Sequence, residues 1–454
     1  MKPFVVLFFI NISLLFGQQK PIFKTLRYED DFSYLKTDTS KSDYERLKFV
    51  TLNSNGSTYI SFGGDVRFQY FNIKNEDWGD TSYDKDGYTL SRYLAHADFH
   101  ASHFRIFFQL QGSNSGSRVN PNPLENNPLD FHQAFFDVYF GSKQNSNVTF
   151  RAGRQELMYG SQRLIAVREL PNNRSAFDGI KLFWNHKLIK SDLFYTHPVV
   201  NRNAIFDDRF NNDSKFWGSY TTFNKTSFLK NIDVYYLGLW KREALFDNGF
   251  GREIRHSVGT RIWKNEGNWR YDFEGVYQFG SSEYKDIRAW TISSNTSYQF
   301  KWLLFKPTFG IKTELISGNQ SYDDETLETF NPLFPRGAYF GLAALIGPSN
   351  LIDAHPYLNF EMTPKLNIAF DFDIFWRYSN NDGLYAPNMQ LIYPGHTTSE
   401  KFIGSQLGLE ITYQYSNMLF LKLESTWFDS GEFIKKSGAG KDIILGGVTT
   451  QFKF

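Results

Sequence analysis

Between Tyr59 and Phe71 the side chains change character at every step. Ile60, Phe62, Gly64, Val66, Phe68 and Tyr70 hold the even positions, and Ser61, Asp65, Arg67 and Gln69 are among the odd ones. A period of two marks an extended strand with two unlike faces, because a helix would bring Asp65 and Phe68 to the same side. A tilted strand crosses the hydrocarbon of a bilayer in about 9–11 residues, and this run is long enough to do so. The pattern recurs. Phe104, Ile106, Phe108 and Leu110 alternate with Arg105, Gln109 and Gln111, and Trp269, Tyr271, Phe273, Gly275, Tyr277 and Phe279 alternate with Arg270, Asp272, Glu274 and Gln278. Further copies are expected over Phe305–Leu315, Ile368–Trp376, Leu407–Tyr415 and Leu419–Trp427.

Aromatic residues make up 18% of the chain, with 47 Phe and 26 Tyr, a surplus that needs an apolar environment beyond a soluble core. Past the first residues the longest apolar stretch, Phe340–Ile346, is far too short for a spanning helix, so any crossing is made by strands. Met1-Lys2, the apolar run Pro3–Phe16 and Gly17 have the layout of a secretory signal, which predicts a signal peptide over 1–17 and a mature start near Gln18. Residues 18–57 are charged and irregular and read as an N-terminal periplasmic segment, and 58–454 as the barrel. The absence of Cys excludes disulfides, thiolate metal sites and a Cys nucleophile, and a net charge of +1 argues against a nucleic-acid binder.

Long polar connections are expected at Lys74–Gly87, Ser113–Asp130, Asn201–Lys215, Gly318–Pro335 and Ser379–Glu400, several of them folding over or into the lumen. Short turns fall near Asn265–Gly267 and Ser416-Asn417. The last strand places Gly446, Val448, Thr450, Phe452 and Phe454 on one face, and its terminal aromatic resembles a targeting signal read by outer-membrane assembly machinery. At roughly 22 residues per strand and connection, residues 58–454 make about 18 strands. The expected fold class is all-β: a transmembrane up-and-down antiparallel β-barrel.

Enzyme motifs are missing: there is no G-x-S-x-G elbow, H-E-x-x-H or P-loop. His96, Asp98 and His100 share one strand face and read as a hydrated lumen stripe, so no metal and no cofactor is expected. Ser257 and His256 point to opposite faces and form no catalytic pair. Arginine carries the stronger signal. Arg67, Arg92, Arg105, Arg151, Arg261, Arg270 and Arg288 fall on the polar face of their strands, since each would cost about 2–4 kcal/mol on the lipid face near the midplane. Cationic rings in a low-dielectric wall favour anions, and guanidinium pairs two-pronged with carboxylate or phosphate. Asp65, Asp98, Asp137, Asp272 and Glu274 are expected as lumen counter-charges, consistent with 49 basic and 48 acidic residues in all.

The run Arg151-Ala152-Gly153-Arg154-Gln155-Glu156-Leu157-Met158-Tyr159-Gly160-Ser161-Gln162-Arg163-Leu164, followed by Phe177-Asp178-Gly179, resembles the R-x-G-R-Q-x-L-x-Y-G-x-x-R-L signature of the alginate-export family of outer-membrane porins. Phe330-Asn331-Pro332-Leu333-Phe334-Pro335 and Gly431-Glu432-Phe433-Ile434 are similar to further family segments, so the likeness runs from Phe131-His132-Gln133 to the C-terminus. The resemblance implies an 18-stranded barrel with an electropositive, loop-restricted pore for an acidic polysaccharide. It also implies that Arg151, Arg154 and Arg163 form a constriction that pairs with uronate carboxylates.

The chain is therefore expected to be a passive channel in a Gram-negative outer membrane for anionic oligo- or polysaccharides such as alginate. Two alternatives are a surface glycan-binding barrel and a general porin without anion selectivity. The expected partners are outer-membrane lipid and lipopolysaccharide, the anionic saccharide, and the assembly machinery through Phe454. The default is a monomer.

Overall fold

A computed structural model describes residues 23–81, 86–119, 121, 124–142, 146–226, 229–322, 324–341 and 345–454. The expected signal peptide and the cleavage point near Gln18 lie outside them. Among the described residues, eighteen strands of nine to seventeen residues form one closed antiparallel sheet. In chain order the first six are β1 (Tyr59–Lys74), β2 (Tyr88–His100), β3 (Phe104–Gly116), β4 (Asn127–Ser142), β5 (Ser146–Gln155) and β6 (Phe177–His186). The next six are β7 (Ile189–Val200), β8 (Ser214–Thr226), β9 (Lys230–Phe246), β10 (Gly249–Lys264), β11 (Trp269–Ser282) and β12 (Lys285–Gln299). The last six are β13 (Thr308–Ile316), β14 (Leu351–Thr363), β15 (Leu366–Arg377), β16 (Phe402–Gln414), β17 (Leu419–Ser430) and β18 (Ile443–Lys453). Each strand pairs with its sequence neighbours. The ring closes where β1 meets β18, with Asp65 opposite Lys453 and Tyr70 opposite Val448.

Closure leaves no edge in hydrocarbon, and alternation then assigns every side chain to lipid or lumen. Phe62, Phe68, Phe108, Phe273, Tyr277 and Leu423 are all exposed on the outside, whereas Asp65, Arg67, Gln109 and Glu274 are buried inside. A soluble protein has the opposite arrangement. No helix among the described residues is long and apolar enough to cross a membrane.

Both ends of the sheet-forming chain lie at the rim of short turns, such as 101–103, 187–188 and 364–365. The opposite rim carries the long connections, although Asp247-Asn248 and Glu283-Tyr284 are tight hairpins there. Two expected boundaries shift. β3 extends to Gly116 and β4 begins at Asn127, which shortens the loop expected over Ser113–Asp130. The strand expected from Phe305 begins at Thr308, because Phe305 and Lys306 hold positive φ (62° and 41°) in the preceding turn.

The lumen is partly filled. The connection 156–176, absent from the expected long loops, folds inward and meets the connection after β13. Ala166 N–H donates to Phe334 O at 2.9 Å, and Phe334 N–H donates to Leu164 O at 2.9 Å. Leu164, Ile165, Phe330 and Leu333 join Phe177 and Phe216 of the barrel wall in a buried apolar core. The N-terminal segment reaches the lumen as well. Its helix Asp43–Lys48, capped by Ser42 and Glu45, stands against the rim, while Thr25–Tyr28 enters the barrel. The Tyr28 ring packs edge-on against Phe107 and Phe135, both on the inner wall. Tyr28 can fit because that wall offers apolar rings among its arginines.

Candidate functional site

The inner wall of β1–β5 carries a chain of ion pairs. Arg105 grips Asp98 with two bonds of 2.7 and 2.6 Å, and Arg151 grips Asp137 with bonds of 2.7 and 2.8 Å. Arg92 reaches Asp65 at 3.4 Å and also pairs with Glu169 of the inward loop. Arg67 donates to the carbonyls of Glu169 at 2.5 Å and Pro171 at 3.1 Å. All four guanidiniums are buried, with Arg92 at 0% exposure. Arg105 also donates to the carbonyl of Tyr28, and Arg151 stacks over Phe135 at 3.7 Å, so the N-terminal segment is seated on this ladder. The alternating acid and base of neighbouring strands explains the arrangement: a low-dielectric interior holds a guanidinium only beside a fixed counter-charge.

The opposite wall repeats the device. Arg261 pairs with Asp272 at 2.9 and 2.7 Å and with Asp233 at 2.9 Å. Arg163, carried on the inward loop, bonds Glu314 at 3.0 Å and Glu274 at 3.3 Å and lies 3.7 Å from Asp272. Tyr235 Oη donates to Glu274 at 2.7 Å. The expected counter-charges Asp65, Asp98, Asp137, Asp272 and Glu274 thus all face the lumen, each on a named arginine.

Two expected lumen arginines do not line it. Arg288 is exposed on the outer face, opposite outward-facing Phe279 in the register, while its neighbours Ile287 and Ala289 are buried. Ile287, Ala289 and Thr291 supply the inner face of β12 at this end, so the polar-face assignment was one residue out of phase. Arg154 pairs with Asp178 at 2.9 and 3.0 Å. It sits opposite Ala134 and Asp178, on the outward parity of Phe136, Ile180 and Leu182. Arg154 is three residues on from inward-facing Arg151, so plain alternation puts it outside, and Gln155 returns to the inner face.

Arg270 does face the lumen and bonds Gln299 at 3.1 Å, with no carboxylate in ion-pair range among the described residues. Two further arginines of this kind were not foreseen, because they lie on loops where alternation says nothing. Arg168 donates to Pro335 O at 3.1 Å, and burial without a counter-charge pushes its pKa down to about 10, so it is a cation at neutral pH. Arg336 donates to Tyr339 O at 3.2 Å and is exposed to the lumen. Near the short-turn rim a cavity of about 490 Å³ is lined by Arg261, Lys264 and Arg270 and by Asp272, Glu361 and Glu410.

A family model described as alginate export matches residues 58–442. The chain belongs to the alginate export family. Within the family's matched region lie all the ladder residues and both inward loops. Among solved structures the chain resembles Acinetobacter baumannii OccAB1, with 12% identity, a TM-score of 0.60 and coverage of 91% of this chain and 99% of that one. It also resembles a BenF-like porin from Pseudomonas fluorescens Pf-5, with 9% identity, a TM-score of 0.59 and coverage of 87% and 98%. A third is Pseudomonas aeruginosa OccD3, with 14% identity, a TM-score of 0.57 and coverage of 87% and 91%. At such identities the likeness is one of fold. No curated protein matches the sequence. Family and fold together make this alginate export family member an outer-membrane barrel of the channel type.

Proposed function

We propose that the barrel passes anionic oligo- or polysaccharides, of the alginate class, by diffusion along the side of the lumen walled by β10–β16. The observation that carries this reading is the contrast between two sets of arginines. Arg92, Arg105, Arg151, Arg163 and Arg261 are paired with protein carboxylates, and Arg67 is spent on the Glu169, Leu170 and Pro171 carbonyls and Asn172, so these six hold the filling in place. Arg168, Arg270 and Arg336 have only carbonyl or amide partners, which leaves their charge available to a uronate carboxylate. Export through a signal peptide, recognition of Phe454 by the assembly machinery and a monomeric state in lipid and lipopolysaccharide belong to the same reading.

The test is current block in planar bilayers. Oligouronate added to the wild-type channel is expected to interrupt the current, and Arg336→Ser with Arg270→Ser to weaken that block at least several-fold. Equal block in wild type and double variant removes the assigned roles. A second reading, a general porin, draws on Asp272, Glu361 and Glu410 in the same cavity as the cations. It predicts no block at all.

A further inference from the structure

We propose that the inner wall at β14 and β15 holds one divalent transition-metal ion, with Zn²⁺ the best match, on Asp353, His355 and Asp373. The ligand atoms of these three residues lie within 4.8 Å of one another, and all three residues are buried, Asp373 at 0% exposure. Asp371, on the same face of β15, places a carboxylate oxygen 3.8 Å from His355 Nε2.

The cluster is short of partners. Asp353 Oδ1, His355 Nε2 and Asp371 Oδ2 are each buried with no hydrogen-bond partner, while Asp373 Oδ1 stands in ion-pair contact with His355 Nδ1. Asp353 accepts no hydrogen bond from any described residue, although it is only 3% exposed. Its cross-strand neighbour Glu314 shows what a satisfied acid looks like here, bound by Arg163 at 3.0 Å and by Tyr339 Oη at 3.1 Å. That arrangement occupies Arg163 and leaves Asp353 without it. Lys312, opposite His355 in the register, is the cation on the neighbouring strand, and its ammonium sits 5.3 Å from the Tyr357 ring centroid. Arg336 comes from the loop above.

Three carboxylates faced by the ammonium of Lys312 and the guanidinium of Arg336 leave one net negative charge, and burying it unpaired is unfavourable. A dication offsets that charge and supplies the electrophile that the unpartnered atoms of Asp353, His355 and Asp371 lack. An imidazole nitrogen with two or three carboxylate oxygens suits Zn²⁺ better than Mg²⁺ or Ca²⁺, which prefer oxygen alone. The second coordination layer is in place: Gln406 Nε2 holds the other oxygen of Asp373 at 2.9 Å and is itself tied to Phe340 O at 2.8 Å. The ion would therefore fasten β14 to β15 directly beneath the loop that contributes Tyr339 and Phe340 to the lumen.

The experiment uses the full chain in detergent, stripped by chelator, reloaded with ZnCl₂, dialysed and measured for bound zinc. One Zn²⁺ per chain is expected, with X-ray absorption showing a single imidazole in an otherwise oxygen shell. Asp353→Asn and His355→Gln, each first shown to keep the compact heat-modifiable barrel on a gel, are expected to bind at least tenfold more weakly. The absorption spectrum on wild type serves if a variant fails to fold. The proposal is overturned by substoichiometric zinc in wild type, by a spectrum without imidazole, by undiminished affinity in both variants, or by displacement of the zinc by millimolar Mg²⁺ or Ca²⁺.

Discussion

Arg163 meets Glu314 at 3.0 Å, and because Arg163 rides on the loop after β5 while Glu314 belongs to β13, one side of the barrel is fastened to the other through the lumen. Both side chains are largely buried, at 11% and 6% exposure, so the pair sits where water screens it little. Breaking such a pair while leaving Glu314 and Glu274 behind costs about 3 kcal/mol. Arg163→Ala is accordingly expected to free the inward loop and raise single-channel conductance with more frequent flicker. Arg163→Ala combined with Glu314→Gln should cost less than the two changes summed. Recordings of the three variants check this, and unchanged conductance in Arg163→Ala contradicts it.

At the seam of the ring Arg27 donates to Gly64 O on β1 at 2.7 Å and to Phe454 O after β18 at 2.9 Å, while Asp30 holds its Nε at 2.8 Å. One guanidinium from the N-terminal segment therefore bridges the first and last strands. Two charge-assisted bonds are worth about 3–6 kcal/mol of docking, so Arg27→Ala should release the segment. Hydrogen exchange over residues 24–30 is expected to accelerate at least tenfold while exchange in β1 and β18 stays slow.

Lys48 adds a pH dependence to the same docking. Its ammonium donates to Phe62 O at 2.6 Å amid the rings of Phe32, Tyr44 and Phe23, with Arg27 and Asp30 as the facing charges. Burial first, and Arg27 second, push its pKa down to about 7 from 10.5. The undocked segment then binds more protons than the docked one between those two values. Docking strengthens as pH rises from about 7 to 10, on the order of 1 kcal/mol per unit, and is insensitive below that window. Proteolysis of the segment at a series of pH values should slow across it, and Lys48→Met should abolish the trend.

Gly153 combines a φ of +129° with backbone of β4 where a Cβ would stand. Gly153→Val is expected to cost about 2–3 kcal/mol from strain and steric displacement together. The refolding yield and unfolding midpoint of the barrel should fall, whereas Gly275→Val, with nothing within 4 Å of its added Cβ, should leave both near wild type.

The strands were legible because bilayer and lumen impose opposite demands on alternate residues, and the expected inner faces of β1, β3 and β11 match the structure. At the outer end of β12, where Ile287 and Ala289 take the inner face, the polar-face reading misplaced Arg288, and the family resemblance placed Arg154 inside against the parity set by Arg151. The inward fold of 156–176 was not legible, since its apolar Leu164, Ile165 and Val167 follow no strand period and find their partners in another loop and in Tyr28. The pairing of the arginines was half visible. Asp98, Asp137 and Asp272 lay on the same faces, but Glu169 and Glu314 reach Arg92 and Arg163 only through the inward loop.

Anion passage through the lumen is read most directly from the zero-current potential of the purified full-length channel under a KCl gradient, with and without oligouronate. The expected sign shows preference for Cl⁻ over K⁺, with a reversible interruption of current by the oligouronate. A preference for K⁺ with no interruption would contradict anion passage.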